Sequence, residues 1–157
     1  MELLKCIIYL IVSGIIIFFI GRIFPRTLLK ENNFPFKPYK FEKNGKIYEI
    51  FKIKKWKTKL PDASVIIYKI FPNFMPIKRI KKRNKNTLNT LIKESCVAET
   101  THFLAAITGF VCVKIWKGLG GWIVSFIYLI FHIPFIMIQR YNRPRLSKAL
   151  LNIYCSD

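Results

Sequence analysis

Three stretches of the chain carry almost no charge, and everything else is strewn with lysine and arginine. The first, CIIYLIVSGIIIFFIGRIF from Cys6 to Phe24, begins after Lys5 and is unbroken until Arg22. A second apolar run follows Glu94-Ser-Cys-Val-Ala-Glu-Thr-Thr-His102 and ends at Trp116, its charge-free part reaching only from Phe103 to Val113. The third, Leu119 to Ile138, stops at Arg140. Runs of about twenty apolar residues match the hydrocarbon thickness of a bilayer. The pattern predicts an all-α integral membrane protein with three transmembrane helices, one N-terminal and two forming a C-terminal hairpin. The expected layout is a single membrane domain over 1–157. It comprises a span at 6–24, a basic interfacial region at 25–93, a spanning or re-entrant helix at 97–116, a span at 119–138 and a basic tail at 139–157.

A cleavable signal peptide is the competing reading of the first run. Its core exceeds the usual 7–15 residues, the positive charges lie mainly behind it, and no A-x-A-like site follows. A retained helix is expected. Gly14 and Gly21 lie seven residues apart and suit close approach of another helix, although glycine is common in membrane helices anyway.

The middle region is punctuated by Pro25, Pro35 and Pro38, so FPFKPYKF is expected to be extended or irregular. Asn44-Gly45 marks a turn. After it Ile47, Tyr48, Ile50, Phe51, Ile53 and Trp56 interleave with lysines in a pattern that fits neither the helical nor the strand period throughout. One face is apolar and aromatic, the rest cationic, which suits the headgroup layer with Trp56 as an interfacial anchor. A small solvated subdomain is the bland alternative. SVIIYKIFPNF (Ser64 to Phe74) reads as a short buried strand or interfacial segment, and IKRIKKRNKN (Ile77 to Asn86) is the densest charge cluster.

Composition sharpens this picture. Across 157 residues the chain is 52% hydrophobic and carries a net charge of +19, so a membrane protein with loops facing anionic lipid fits better than a soluble core. Nucleic acid also attracts such charge, but the basic residues flank apolar spans and no nucleic-acid motif is present. None is expected as a partner. Cys6, Cys96, Cys112 and Cys155 are too scattered for a zinc knuckle or disulfide framework and are expected to be reduced and buried. With the long basic loop inside, the N-terminus lies outside and the C-terminal tail is cytoplasmic, in the cell membrane.

Candidate chemistry is confined to a few residues. Glu99 and His102, three apart, share a helix face. A carboxylate beside an imidazole can fix its tautomer while the other nitrogen takes a proton from a hydroxyl. The alternative is that both merely cap and snorkel at a helix entrance. A lone Glu-x-x-His does not make a di-iron site, and H-E-x-x-H is absent, so no metal or other cofactor is expected. His132 reads as a satisfied buried histidine, the alternative being a second polar group in the cavity, and Ser125 has no recognisable catalytic partner. Lys114, Lys117 and Gly118 to Gly121 connect the hairpin, with Trp116 and Trp122 near the outer interface. This topology brings Glu99 and His102 to the same membrane face as Arg140, Arg143 and Arg145. Pro144 disfavours helix at Arg143, so the tail is expected to turn away and splay its guanidinium groups. Ordinary positive-inside anchoring is the alternative.

FEKNGKIYEIFKIKKWKTKLPD, then Glu99-Thr-Thr-His102, then IPFIMIQRYNRPRL together resemble the glycosyl-4,4′-diaponeurosporenoate acyltransferases, the small bacterial membrane family that completes the carotenoid pigment staphyloxanthin. The likeness runs from about Phe41 to Leu146, and IQRYNRPRL is its most specific part. Around the second span the family form is closer to A-E-x-x-H-W; Thr100, Thr101 and Phe103 keep the Glu and His but change their surroundings. The resemblance implies transfer of a fatty acyl chain to the sugar 6-hydroxyl of a glycosylated C30 carotenoid acid. On that reading His102 and Glu99 are catalytic, and Arg140, Asn142, Arg143, Arg145 and Trp56 bind substrate. The implied partners are the glycosylated carotenoid, a fatty acyl donor, anionic membrane lipid and other pigment-pathway membrane enzymes. A non-catalytic lipid-binding scaffold that recruits partners through the basic loop is the competing class.

Overall fold

A computed structural model of the chain describes residues 1–60 and 84–156. The expectations placed on 64–74 and on 77–83 lie outside the described residues. Everything regular in the described residues is helical. Helix α1 runs over Glu2–Ile23, a single turn α2 over Ile53–Trp56, α3 over Lys85–Thr108, a short α4 over Cys112–Ile115, and α5 over Leu119–Ser156. Three of these stretches, Glu2–Ile23, Lys85–Ile115 and Leu119–Cys155, are long and apolar enough to cross a membrane. The outward faces of α1 and α5 bear Ile8, Ile11, Phe19, Ile127, Ile130 and Phe131, all at least 48% exposed, apolar surface of the kind that lipid covers.

Both C-terminal helices are longer than the apolar runs that announced them. Helix α3 starts at Lys85, within the expected loop, because the Asn84 side chain caps it by accepting from the Thr87 N–H at 2.7 Å. It then continues through a 3₁₀ turn at Gly109–Val111 into α4. Helix α5 continues to Ser156 through Pro134 and Pro144, so the expected break at Arg143 is corrected. An interior proline costs roughly 3 kcal/mol. Against that, Arg143 in helical geometry places its guanidinium on Ser95, Phe36 and Glu99, and hydrogen bonds to charged groups contribute about 1.5–3 kcal/mol each.

Antiparallel packing of α3 on α5 follows from the order of their contacts: Leu88 and Ile92 with Leu150, Ser95 with Arg143, His102 with His132, and Gly109 with Ser125. Ser125, in the apolar part of α5, shares its hydroxyl between the Gly109 and Gly121 carbonyls at 3.0 and 2.8 Å, which explains a polar residue there without chemistry. Helix α1 packs on α3 through Gly21, whose missing side chain accommodates Thr101: a Cβ would stand 2.4 Å from Thr101 Cγ2. The junction is reinforced by Arg26, which donates from Nε to Glu94 Oε1 at 3.0 Å and from Nη1 to the Gly21 and Arg22 carbonyls. Cys6, Cys96 and Cys112 are buried as expected, while Cys155 is exposed.

Candidate active site

The segment before α2 has little regular structure, and its shape is set by what it touches. Lys43, Asn44 and Gly45 take positive φ, the last at 83°, which turns the chain at the expected Asn-Gly pair. There Gly45 lies against the backbone of α5, where a Cβ would be 3.3 Å from the carbonyl oxygens of Arg140 and Tyr141. Short 3₁₀ turns at Lys40–Glu42 and Lys46–Glu49 flank it, so the undecided period resolves into helical turns. Tyr48 and Ile53 pack on Tyr141 of α5, with Trp56 half-buried beside them and its indole N–H donating to the Phe51 carbonyl at 2.8 Å.

Under this layer lies a closed set of ion pairs. Arg140 donates from Nη1 to Glu99 at 2.6 Å and to the Pro35 carbonyl at 3.0 Å, and from Nη2 to Glu42 at 2.9 Å. Arg143 donates to Ser95 Oγ at 2.9 Å, to the Phe36 carbonyl at 2.8 Å and to the second oxygen of Glu99. Glu42 also accepts from the Tyr39 N–H and the Tyr48 hydroxyl. Two arginines of α5 thereby fasten residues 35–48 to the helical hairpin. Burial alone would raise the Glu42 carboxyl, but the bonds from Arg140, Tyr48 and Tyr39 outweigh it and hold the group below the ordinary carboxylate range. The same burial, together with Glu42, pushes the Tyr48 phenol up.

Glu99 therefore engages guanidinium groups with both oxygens, and the expected Glu99–His102 pair gives way to a Glu99–arginine lock. Charge explains the preference, since a carboxylate gains more from two fixed cations than from a neutral imidazole. His102 turns to the other side. Its Nδ1 lies 3.1 Å from Nδ1 of His132, and its ring stacks on Phe135 with centroids 4.7 Å apart. His132 is buried, lies edge-on to Tyr128 at 4.5 Å, and has no hydrogen-bond partner for Nε2. The expected satisfied histidine is half satisfied.

The remaining candidates sit farther out. Arg145 donates to the Tyr141 carbonyl and to Glu49, each at 2.7 Å, and its guanidinium lies over the Tyr141 ring. Asn142 accepts from Lys57 at 3.0 Å. Burial first, then the nearby charges of Arg145 and Lys54, draw the Lys57 ammonium below the usual lysine value. Arg140 and Arg143 side chains are 9% and 3% exposed, Arg145 36%. Only Arg145 of the three presents its charge to an incoming molecule.

Sequence reasoning passed over Glu42 and Ser95. A usable signal existed: with 27 basic and only eight acidic residues, any acid that becomes buried is the natural counter-ion of a buried arginine. Glu42, Glu94 and Glu99 are the buried acids among the described residues, and each holds arginine.

Residues 32–152 match the family model for glycosyl-4,4'-diaponeurosporenoate acyltransferase. The chain belongs to this family. The matched segment contains the entire ion-pair set and both histidines, and is wider than the likeness read from the motifs. Three relatives carrying that same enzyme name come from Staphylococcus aureus. The protein of strain bovine RF122 / ET3-1 is 28% identical over 146 residues, covering 92% of this chain and 86% of the relative. That of strain MRSA252 is 27% identical over 150 residues and that of strain N315 28% over 146, with the same coverage. No solved structure matches the chain. As a member of the glycosyl-4,4'-diaponeurosporenoate acyltransferase family, this helical membrane protein is an acyltransferase.

Proposed function

We propose that the chain transfers a fatty acyl group to the sugar 6-hydroxyl of a glycosylated C30 carotenoid acid, with His102 as the general base. The observation that carries this reading is the position of His102. It is half-buried on α3, paired at Nδ1 with His132 and one turn from Glu99 in the ion-pair layer. Ionisable groups are costly within an apolar helix and are retained where they act. The sugar hydroxyl gives its proton to His102 Nε2 as its oxygen bonds to the acyl carbonyl carbon. The bond from that carbon to the donor's leaving group then breaks, and the proton returns to the leaving group. No covalent enzyme intermediate is needed.

The anionic part of the donor rests on Arg145, Asn142 and Lys57, beside Trp56, displacing Glu49 from Arg145. Arg140 and Arg143 stay in the lock and hold this rim in place. At 1.5 Å per residue, His132 and Arg145 lie about 20 Å apart along α5. A small anion cannot touch both, so the donor carries its charge on an arm remote from its acyl carbonyl. The basic segment and the α5 end face the cytoplasm and anionic lipid, with the N-terminus outside.

The test replaces His102 by Gln in the full chain, expressed in cells that accumulate the carotenoid glycoside. General-base assistance is worth about 10²–10⁴ in rate, so ester formation per amount of folded protein is expected to fall by that factor. Undiminished ester would remove the base. No ester from the wild-type chain would favour the scaffold class.

A further inference from the structure

His132 is a buried polar side chain to which the proposed reaction assigns no part. A histidine kept only as packing is expected to have both ring nitrogens satisfied. This one is 7% exposed, and its Nε2 has no partner. Its single hydrogen bond is the 3.1 Å contact between its Nδ1 and that of His102. Tyr128 and Phe131 stand edge-on to its ring, and Phe135 covers His102. A phenylalanine would fill such an aromatic site without leaving a buried nitrogen unpaired.

Building on the His102 reading above, we infer that His132 is the positioning residue of the base: it accepts the Nδ1–H of His102 and so keeps the lone pair of His102 on Nε2. Two neutral imidazoles facing each other through Nδ1 share one hydrogen. If His132 donated it, His102 would carry its own hydrogen on Nε2 and could not take a proton there. If His102 donates it, Nε2 is the basic atom of His102, and His132 carries its own hydrogen on its buried Nε2, a donor left unpaired at a cost of about 1–3 kcal/mol. The choice also responds to the reaction. Once His102 is protonated, the same bond becomes charge-assisted, and such bonds are roughly twice as strong as neutral ones. The aromatic walls strengthen it further by excluding water. The interaction is therefore greatest when the proton has been taken, which is the condition for accelerating a step. His132 acts here as the carboxylate was expected to act, and Glu99 is released for the arginines.

The chain has only two histidines, so nitrogen-15 spectra of histidine-labelled, tag-free protein in detergent micelles contain two imidazoles, assigned by their loss in His102→Gln and His132→Asn. His102 is expected as the Nδ1–H tautomer with a bare Nε2. That signature should persist in His132→Asn, whose side-chain oxygen can accept the same hydrogen, and give way to tautomer averaging in His132→Phe. Ester formation in the glycoside-accumulating cells should drop about 10²–10⁴-fold in His132→Phe and recover to within about tenfold of wild type in His132→Asn. His102 carrying its hydrogen on Nε2 in the wild type, or a fully active His132→Phe, would overturn the assignment. Absence of ester from the wild-type chain would instead strike the acyl-transfer reading, while the spectra still decide the pair.

Discussion

Replacing Glu99 by Gln separates a structural carboxylate from a catalytic one. The side chain is 9% exposed and lies between Arg140 and Arg143. Arg140 keeps Glu42 as a counter-ion after the change. The other bonds of Arg143 go to Ser95 and the Phe36 carbonyl, all uncharged, so its guanidinium is left buried and uncompensated. Removing one partner of a buried pair costs about 3–5 kcal/mol, and the amide, which still accepts one hydrogen bond, puts the expected loss near the lower end. For a chain of this size about 2–4 °C of Tm corresponds to each kcal/mol, so a fall of about 6–12 °C is expected in detergent. Combining Glu99→Gln with Arg143→Met removes the orphaned charge, and the double variant should be more stable than the two single losses summed, by about 1–3 kcal/mol. Unchanged Tm with a large loss of ester formation would refute the lock and restore Glu99 as the group that orients His102.

Two further outcomes follow from the same contacts. Gly21→Ala is expected to cost about 1–3 kcal/mol, the usual range for overpacking, because the new Cβ meets Thr101 Cγ2 at 2.4 Å; Thr101→Ser removes that methyl, and thermal unfolding of the double variant should recover most of the loss. The Glu42 carboxyl lies below its ordinary value in the folded state, so its contribution is present above the unfolded pKa of about 4.3 and is lost as pH falls through the lower folded value. Tm measured from pH 7 down to pH 3 should drop over that window, and Glu42→Gln should be less stable at pH 7 with a flatter profile.

The spans were legible because lipid demands one property, and a charge-free run shows it directly. The turn at Asn44-Gly45 was legible for a similar reason, since a positive φ favours particular residues. The length of α5 was not. The rule that proline ends a helix weighs local backbone cost, whereas Arg143 is held by bonds to residues 36, 95 and 99 that are invisible until the hairpin closes. Helical spacing placed Glu99 and His102 on one face, but spacing cannot say which neighbour wins the carboxylate. That was decided by Arg140 and Arg143, some forty residues away, in a competition between charged and neutral partners. His132 was underestimated for the complementary reason: one histidine in an apolar helix has no meaning until its partner in the other helix is known.

The arrangement of the two polar layers bears on how the proposed transfer would bring its two substrates together. On α5 the histidine layer precedes the ion-pair layer by eight residues, from His132 to Arg140, or about 12 Å at the helical rise. A base placed among the arginines would meet two competing guanidinium groups. A base placed much deeper would be beyond reach of a sugar held in the headgroups. His102 lies between these limits, with lipid-facing Phe103 and Leu104 beside it in the chain and the lock next to it along α3. Under the proposed reading the acyl chain enters from the lipid side and the hydroxyl from the headgroup side. The ion pairs then have a task that does not require touching either substrate. By fastening residues 35–48 to α5 they set the height of the rim above the histidines, and hence how far a sugar can descend. Loosening the lock should therefore blur the choice among the sugar's hydroxyls before it abolishes transfer, an outcome that the distribution of ester positions in Glu42→Gln would reveal.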